Sequence, residues 1–217
     1  MRNVLRDQSL TIVTLGLFLL FLSAQAVTGH RVYNQDQQEH QESAISFGSY
    51  LLSGHFVEAT FENWESEFLQ MGAFVLLTVY LVQRGSAESR DPDLPLESEE
   101  DESLTEDSPA AAKKSGAVLW AYENSLAITL FAIFILCFLM HAWGGAIAFN
   151  EEQQAHGEPQ VTTLEFMRTA QFWFESFQNW QSEFLAVAAL VVLSIFLRQR
   201  GSPESKPVNA PHSSTGA

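Results

Sequence analysis

Two stretches carry the same polar residues in front of an apolar run: Phe61-Glu62-Asn63-Trp64-Glu65-Ser66-Glu67-Phe68-Leu69 and Phe177-Gln178-Asn179-Trp180-Gln181-Ser182-Glu183-Phe184-Leu185. Asn, Ser and Glu at i, i+3 and i+4 share one helix face. Asn63, Ser66 and Glu67, with Asn179, Ser182 and Glu183, are therefore a candidate polar site. Trp64 and Trp180 fall on the opposite side, as interfacial anchors at headgroup level. The chemistry such a site offers is binding: two like carboxylates near a bilayer hold a proton or share a cation. Counting back about 20 residues from Arg198 for one crossing places Glu183 roughly 7 Å inside the outer boundary at 1.5 Å per residue. Glu67 takes the same depth. The competing placement leaves both glutamates in the headgroup zone.

Other groups that could do chemistry are sparse. His40 and His156 lie beside Glu39, Glu42 and Glu158, which could ligate a metal; helix-end capping is the favoured role, because His suits a helix C-terminus. His141 lies in an apolar run with no facing histidine, so haem is not indicated. The one cysteine, Cys137, is read as an apolar filler. There is no Cys/His zinc spacing, activated nucleophile or Gly-rich phosphate loop. The expectation is no enzyme, no cofactor and no metal.

The elements that must position these residues are four apolar runs: Ser9–Val27, Phe68–Val82, Leu126–Phe149 and Phe184–Leu197. A crossing helix needs about 20 residues, so the second and fourth recruit the aromatic residues before them. Arg2, Arg6 and Ser23–Ala26 also fit a signal peptide. Against that, the first run aligns with the third, which lies mid-chain.

A shift of 116 positions aligns the chain with itself without a gap. Ser9-Leu10 meets Ser125-Leu126, Gly29 meets Gly145, and Asn34–Glu42 meets Asn150–Glu158. Gln83-Arg84-Gly85-Ser86 meets Gln199-Arg200-Gly201-Ser202. Each copy holds an even number of spans, so the copies run parallel. In the second copy Gly157 and Pro159 stop a helix, and Thr162 with Glu165 forms a capping box before the next. The first copy keeps Ser46 at that position without the Glu.

Between the copies the chain is polar and acidic, within a formal net charge of −15. The reading is membrane repeat 1 over 1–90, a disordered acidic cytoplasmic linker over 91–117, membrane repeat 2 over 118–206 and a disordered tail over 207–217. Such charge also makes nucleic acid an unsuitable partner. Arg2, Arg6, Arg84, Arg90, Lys113, Lys114, Arg198, Arg200 and Lys206 lie at the termini or linker, and Arg31 and Arg168 in the other two connections. By the positive-inside rule both termini are cytoplasmic.

The order Asn-x-x-Gln-Gln-x-His-Gly-Glu (Asn150–Glu158), then Phe-x-Asn-Trp-x-Ser-Glu-Phe, then Gln-Arg-Gly-Ser-x-Glu-Ser resembles a family of small bacterial membrane proteins known only as a domain of unknown function. The resemblance covers nearly the whole chain and implies a four-span membrane protein. It brings no activity, substrate or catalytic residue.

The expected fold is all-α: an integral membrane four-helix bundle built from two parallel tandem repeats. Each repeat is a transmembrane helix, a short outer amphipathic helix and a second transmembrane helix. The expected function is non-enzymatic, structural or interaction-based, in the inner (plasma) membrane. Its partners would be the lipid bilayer and a second copy or another membrane protein. The alternative is a small channel or transporter with a polar vestibule where the repeats meet.

Overall fold

The computed structural model describes residues 2–40, 42–93 and 104–216. Among them the chain is helical, with no strand. The helices are α1 (Arg2–Asp7), α2 (Ser9–Glu39), α3 (Phe47–Tyr50), α4 (Gly54–Tyr80), α5 (Ala117–Glu123), α6 (Ser125–His156), α7 (Thr163–Phe166) and α8 (Ala170–Phe196). Three of them, α2, α6 and α8, are long and apolar enough to cross a membrane. That makes the chain a multi-pass membrane protein. At 1.5 Å per residue the 31 residues of α2 extend about 46 Å, so its polar end, from Asn34 onward, outruns the hydrocarbon. The helix α4 has the same 27 residues as α8. It is less apolar, because Glu58, Glu62 and Glu65 stand where α8 has Phe174, Gln178 and Gln181.

The starts of the long helices and of the short helices that follow α2 and α6 coincide at the shift of 116: Ser9 with Ser125, Phe47 with Thr163 and Gly54 with Ala170; α4 and α8 also end together, at Tyr80 and Phe196. Both α4 and α8 begin well before the apolar runs, and each passes unbroken through its Asn-Trp-x-Ser-Glu block.

Local hydrogen bonds explain most of the repeated residues. Asn34 Oδ1 accepts from the Ile45 N–H at 2.8 Å while its amide donates to the Ile45 carbonyl at 3.1 Å. Asn150 does the same with Val161, at 2.7 and 2.8 Å. Each asparagine thus pins the returning chain to the helix it has just left. The rings of His40 and His156 donate to the Asp36 and Glu152 carbonyls at 3.0 and 2.9 Å, at the ends of α2 and α6. At Asp36 the ring adds a second donor to a carbonyl that already accepts from the His40 backbone N–H at 3.0 Å. Gly157 follows α6 with φ 73°.

Ser46 and Thr162 cap α3 and α7, and Thr162 with Glu165 forms a full capping box. The Thr162 backbone N–H and hydroxyl hold the Glu165 carboxyl below the usual carboxylate range. Ser53 and Thr169 then accept from Phe56 and Phe172, opening α4 and α8.

After α4 and α8 the Gln-Arg-Gly-Ser-x-Glu-Ser blocks form the same turn twice. Ser89 accepts from the Gln83 N–H at 2.8 Å and Ser205 from Gln199 at 2.9 Å. Gly85 and Gly201 sit at φ 89° and 84°, a conformation glycine tolerates.

The chain divides into two compact units: Met1–Phe61 with Leu139–Phe172, and Glu62–Phe138 with Trp173–Ala217. The division does not follow the repeat boundary: α2 belongs wholly to the first unit, while its counterpart α6 is divided between the two. In the first unit α4 and α6 approach closely. A Cβ on Gly54 would lie 2.6 Å from the Ala148 backbone nitrogen, and one on Gly144 would lie 2.7 Å from that of Glu58. Buried Ala142 and Ala146 continue this small-residue seam, the usual way membrane helices come together.

Of the linker assigned to 91–117, residues 94–103 lie outside the described residues. Its last residue, Ala117, begins α5. The tail assigned to 207–217 as disordered is described through Gly216 and is held in the second unit. The Lys206 ammonium is buried and donates to the carbonyls of Gly85, His212 (3.1 Å) and Ser214 (2.9 Å). Gly216 N–H reaches the Ser86 carbonyl at 3.0 Å. One lysine thus gathers several backbone carbonyls of this segment and of the turn after α4.

Candidate functional site

The repeated Asn-Trp-x-Ser-Glu block lies on α4 and α8 in the second unit. Ser66 and Ser182 bond back along their own helices, to the Asn63 and Asn179 carbonyls at 2.7 and 2.8 Å. They serve the backbone. Asn63 and Glu67 are exposed, and so is Ser182; Asn179 and Glu183 are half-buried and Ser66 is buried. Glu67 and Glu183 are near enough for their carboxylates to repel. On α4 the Asn63 and Glu67 side of this face is thus exposed while Ser66 is buried. Glu65, one position before Ser66, is wholly buried, while its partner in the second copy, Gln181, is exposed.

Contacts across the two helices run through the glutamates that the copies do not share. The Trp180 indole N–H donates to Glu65 Oε1 at 3.2 Å. The Asn179 amide donates to Glu62 Oε1. Phe134 packs edge-on to Trp180 with ring centres 6.2 Å apart. Cys137, 2% exposed, lies close to Glu65. Glu65 is therefore a wholly buried carboxylate beside a thiol, with the Trp180 indole as a neutral donor. Trp64 is half-buried. Sequence comparison of the copies passed over Glu58, Glu62 and Glu65, because it kept only residues present in both. Their spacing, i, i+4 and i+7, was the available signal.

The first unit holds a cavity of about 490 Å³. Tyr33, His55, Glu58, Glu151 and Gln171 are among its lining residues, and His40 and His156 also border it. Tyr33 donates to Glu151 at 3.0 Å and accepts from Gln37 at 2.9 Å. Tyr50, 1% exposed, places its hydroxyl 3.2 Å from His55 Nδ1, and burial pushes its phenol above the ordinary value. His141 is wholly buried and stacks on Phe172 with ring centres 4.8 Å apart. One of its ring nitrogens lies within 4.8 Å of a Glu58 carboxylate oxygen. Two chemistries are thus available: carboxylates shielded from water in one unit, and an imidazole–carboxylate pair in the other.

The whole chain, residues 1–217, matches the family model described as Domain of unknown function (DUF6766). The protein belongs to that family. No curated protein and no solved structure matches the chain.

Proposed function

We propose that this family member is a non-enzymatic membrane protein of four spans, α2, α4, α6 and α8. It is built from two parallel copies of one hairpin, with both termini and the linker on the cytoplasmic side of the plasma membrane. Its function is to bind and pass a proton or small cation at the carboxylates of α4. The observation that carries this is Glu65: wholly buried on a helix flanked by membrane spans, with the Trp180 indole on its oxygen. Carboxylates buried this fully in a membrane protein are costly, and such groups mark ion or proton routes. Two further facts support the reading. The residues common to both copies mostly serve caps, hooks and turns, which build the hairpin. The acids that differ, Glu62 and Glu65 against Gln178 and Gln181, are not needed to build it.

The same copy comparison supplies the test. Glu62→Gln and Glu65→Gln insert what the second copy already carries, so folding should survive. In proteoliposomes carrying a pH-sensitive dye or a cation indicator, wild-type protein should show flux above empty vesicles. Glu65→Gln should cut it about tenfold or more, with the unfolding temperature unchanged. Absence of flux from the wild type, or equal flux in both variants, would leave the second reading: a scaffold that binds a second copy or a membrane partner. Its support is the large share of repeated residues devoted to backbone geometry, and its test is crosslinking from native membranes.

A further inference from the structure

We infer that Glu58 and His141 form a binding site for a divalent transition-metal ion of the zinc class, reached through the cavity of the first unit. An imidazole nitrogen and a carboxylate oxygen within 4.8 Å of each other need only small side-chain rotations to close on one ion at the ~2.0–2.2 Å bond lengths of zinc. A mixed N/O pair suits zinc, cobalt or nickel better than calcium or magnesium, which take oxygen. The remaining positions are open to water, which leaves the site accessible rather than closed.

Five observations support it. His141 is wholly buried and its ring plane is held against Phe172, so the nitrogen's direction is preset. Gly145, one turn along from His141, leaves room for the carboxylate: a Cβ there would stand 2.8 Å from Glu58 Oε1. Glu58 also lines the cavity, which gives an ion a way in. The cavity lining includes Asp36, Glu42, Glu151 and Glu152 and no Lys or Arg, so its field draws cations. Moreover, the pair is not a by-product of the repeat. The positions matching His141 and Glu58 in the other copy hold Gln25 and Phe174. The inference does not rest on flux through Glu65, since it uses other residues and a different readout.

The test is metal binding to the full chain in detergent after chelator treatment. Zn²⁺ is titrated by calorimetry, and Co²⁺ is used as a spectroscopic probe of ligand type. Wild-type protein should bind Zn²⁺ saturably, with a Co²⁺ spectrum of nitrogen and oxygen ligation. His141→Gln copies the residue of the other repeat, and Glu58→Gln keeps the side-chain volume. Each should weaken binding about tenfold or more while helix content and unfolding temperature stay as in the wild type. His156→Gln, at the rim, should bind like the wild type. No saturable Zn²⁺ binding by the wild type would overturn the inference, whatever the variants do. So would unchanged affinity in both His141→Gln and Glu58→Gln, or an equal loss in His156→Gln.

Discussion

Gly144→Leu should abolish the folded protein in detergent. The position faces backbone: a Cβ there would lie 2.7 Å from the Glu58 nitrogen and 2.8 Å from Val57 Cγ1. A side-chain tip can rotate aside, but a helix backbone must shift as a whole. Gly54 makes the same demand from the opposite helix, against Ala148, so one side cannot give way to the other. Overpacking a fitted interior costs about 1–3 kcal/mol, and more where backbone is struck. Leucine adds four carbons at this seam, which puts the loss at the upper end or beyond. The control is Gly16→Leu on α2, where nothing lies within 4 Å of an added Cβ; it should unfold at the wild-type temperature. Fluorescence-detected size exclusion and thermal unfolding read both. A Gly144→Leu protein as stable as Gly16→Leu would mean that α4 and α6 do not meet as described.

Lys206→Ala should release residues 207–216. The ammonium is the shared donor for the carbonyls of Gly85, His212 and Ser214, and hydrogen bonds to a charged group contribute about 1.5–3 kcal/mol each. Water can replace that donor once the tail lifts, so the effect is local. Hydrogen exchange at the Gly216 amide, bonded to the Ser86 carbonyl, and at the Gly85 amide, bonded to Thr215, should speed up by about tenfold or more. Amides in the middle of α8 should keep their protection. Lys206→Arg is the informative companion. It keeps the charge but is too broad for the carbonyl cluster, so partial release is expected. Unchanged exchange in Lys206→Ala would mean that the tail is held by other contacts.

Much of the hairpin was legible before any coordinates, for physical reasons that differ by element. Gly157, Thr162 and Glu165 announce a helix stop and start because capping uses residues adjacent in sequence. His40 and His156 were readable as terminal caps for the same reason. The pins made by Asn34 and Asn150 were not, although both residues were seen to repeat: their partners lie eleven positions away across an irregular loop. The start of α4 at Gly54 was hidden as well, since the apolar run that signals a span begins at Phe68. The residues between them are helical without being greasy.

The proposed site at Glu65 lies in the repeated block, two positions from the residue that the repeat points to. The repeated block led to Glu67 and Glu183, while the carboxylate enclosed by protein is Glu65. Comparing copies selects what both need, and both need the fold. Glu58, Glu65 and His141 break the repeat, so the same comparison discarded them. Lys206 was counted only as a topological charge, because nothing in its neighbours predicts that several carbonyls converge on it.

Whether α4 crosses the bilayer decides the topology of the whole chain. Of the four long helices described, it is the one without a stretch long and apolar enough to count as a span by composition, because its acids precede a short apolar run. If it crosses, four spans return the chain to the side on which it began; if it does not, three spans leave the two ends on opposite sides. The direct measurement is single-cysteine labelling of intact cells with a membrane-impermeant maleimide, in a Cys137→Ser background, with detergent-opened cells as the reference. Cysteines at Gln37 and Gln160 should label from outside, and cysteines at Ser103 and Ser213 should label only after the membrane is opened. Labelling at Ser213 in intact cells would contradict the four-span arrangement, and with it the placement of Glu65 within the membrane.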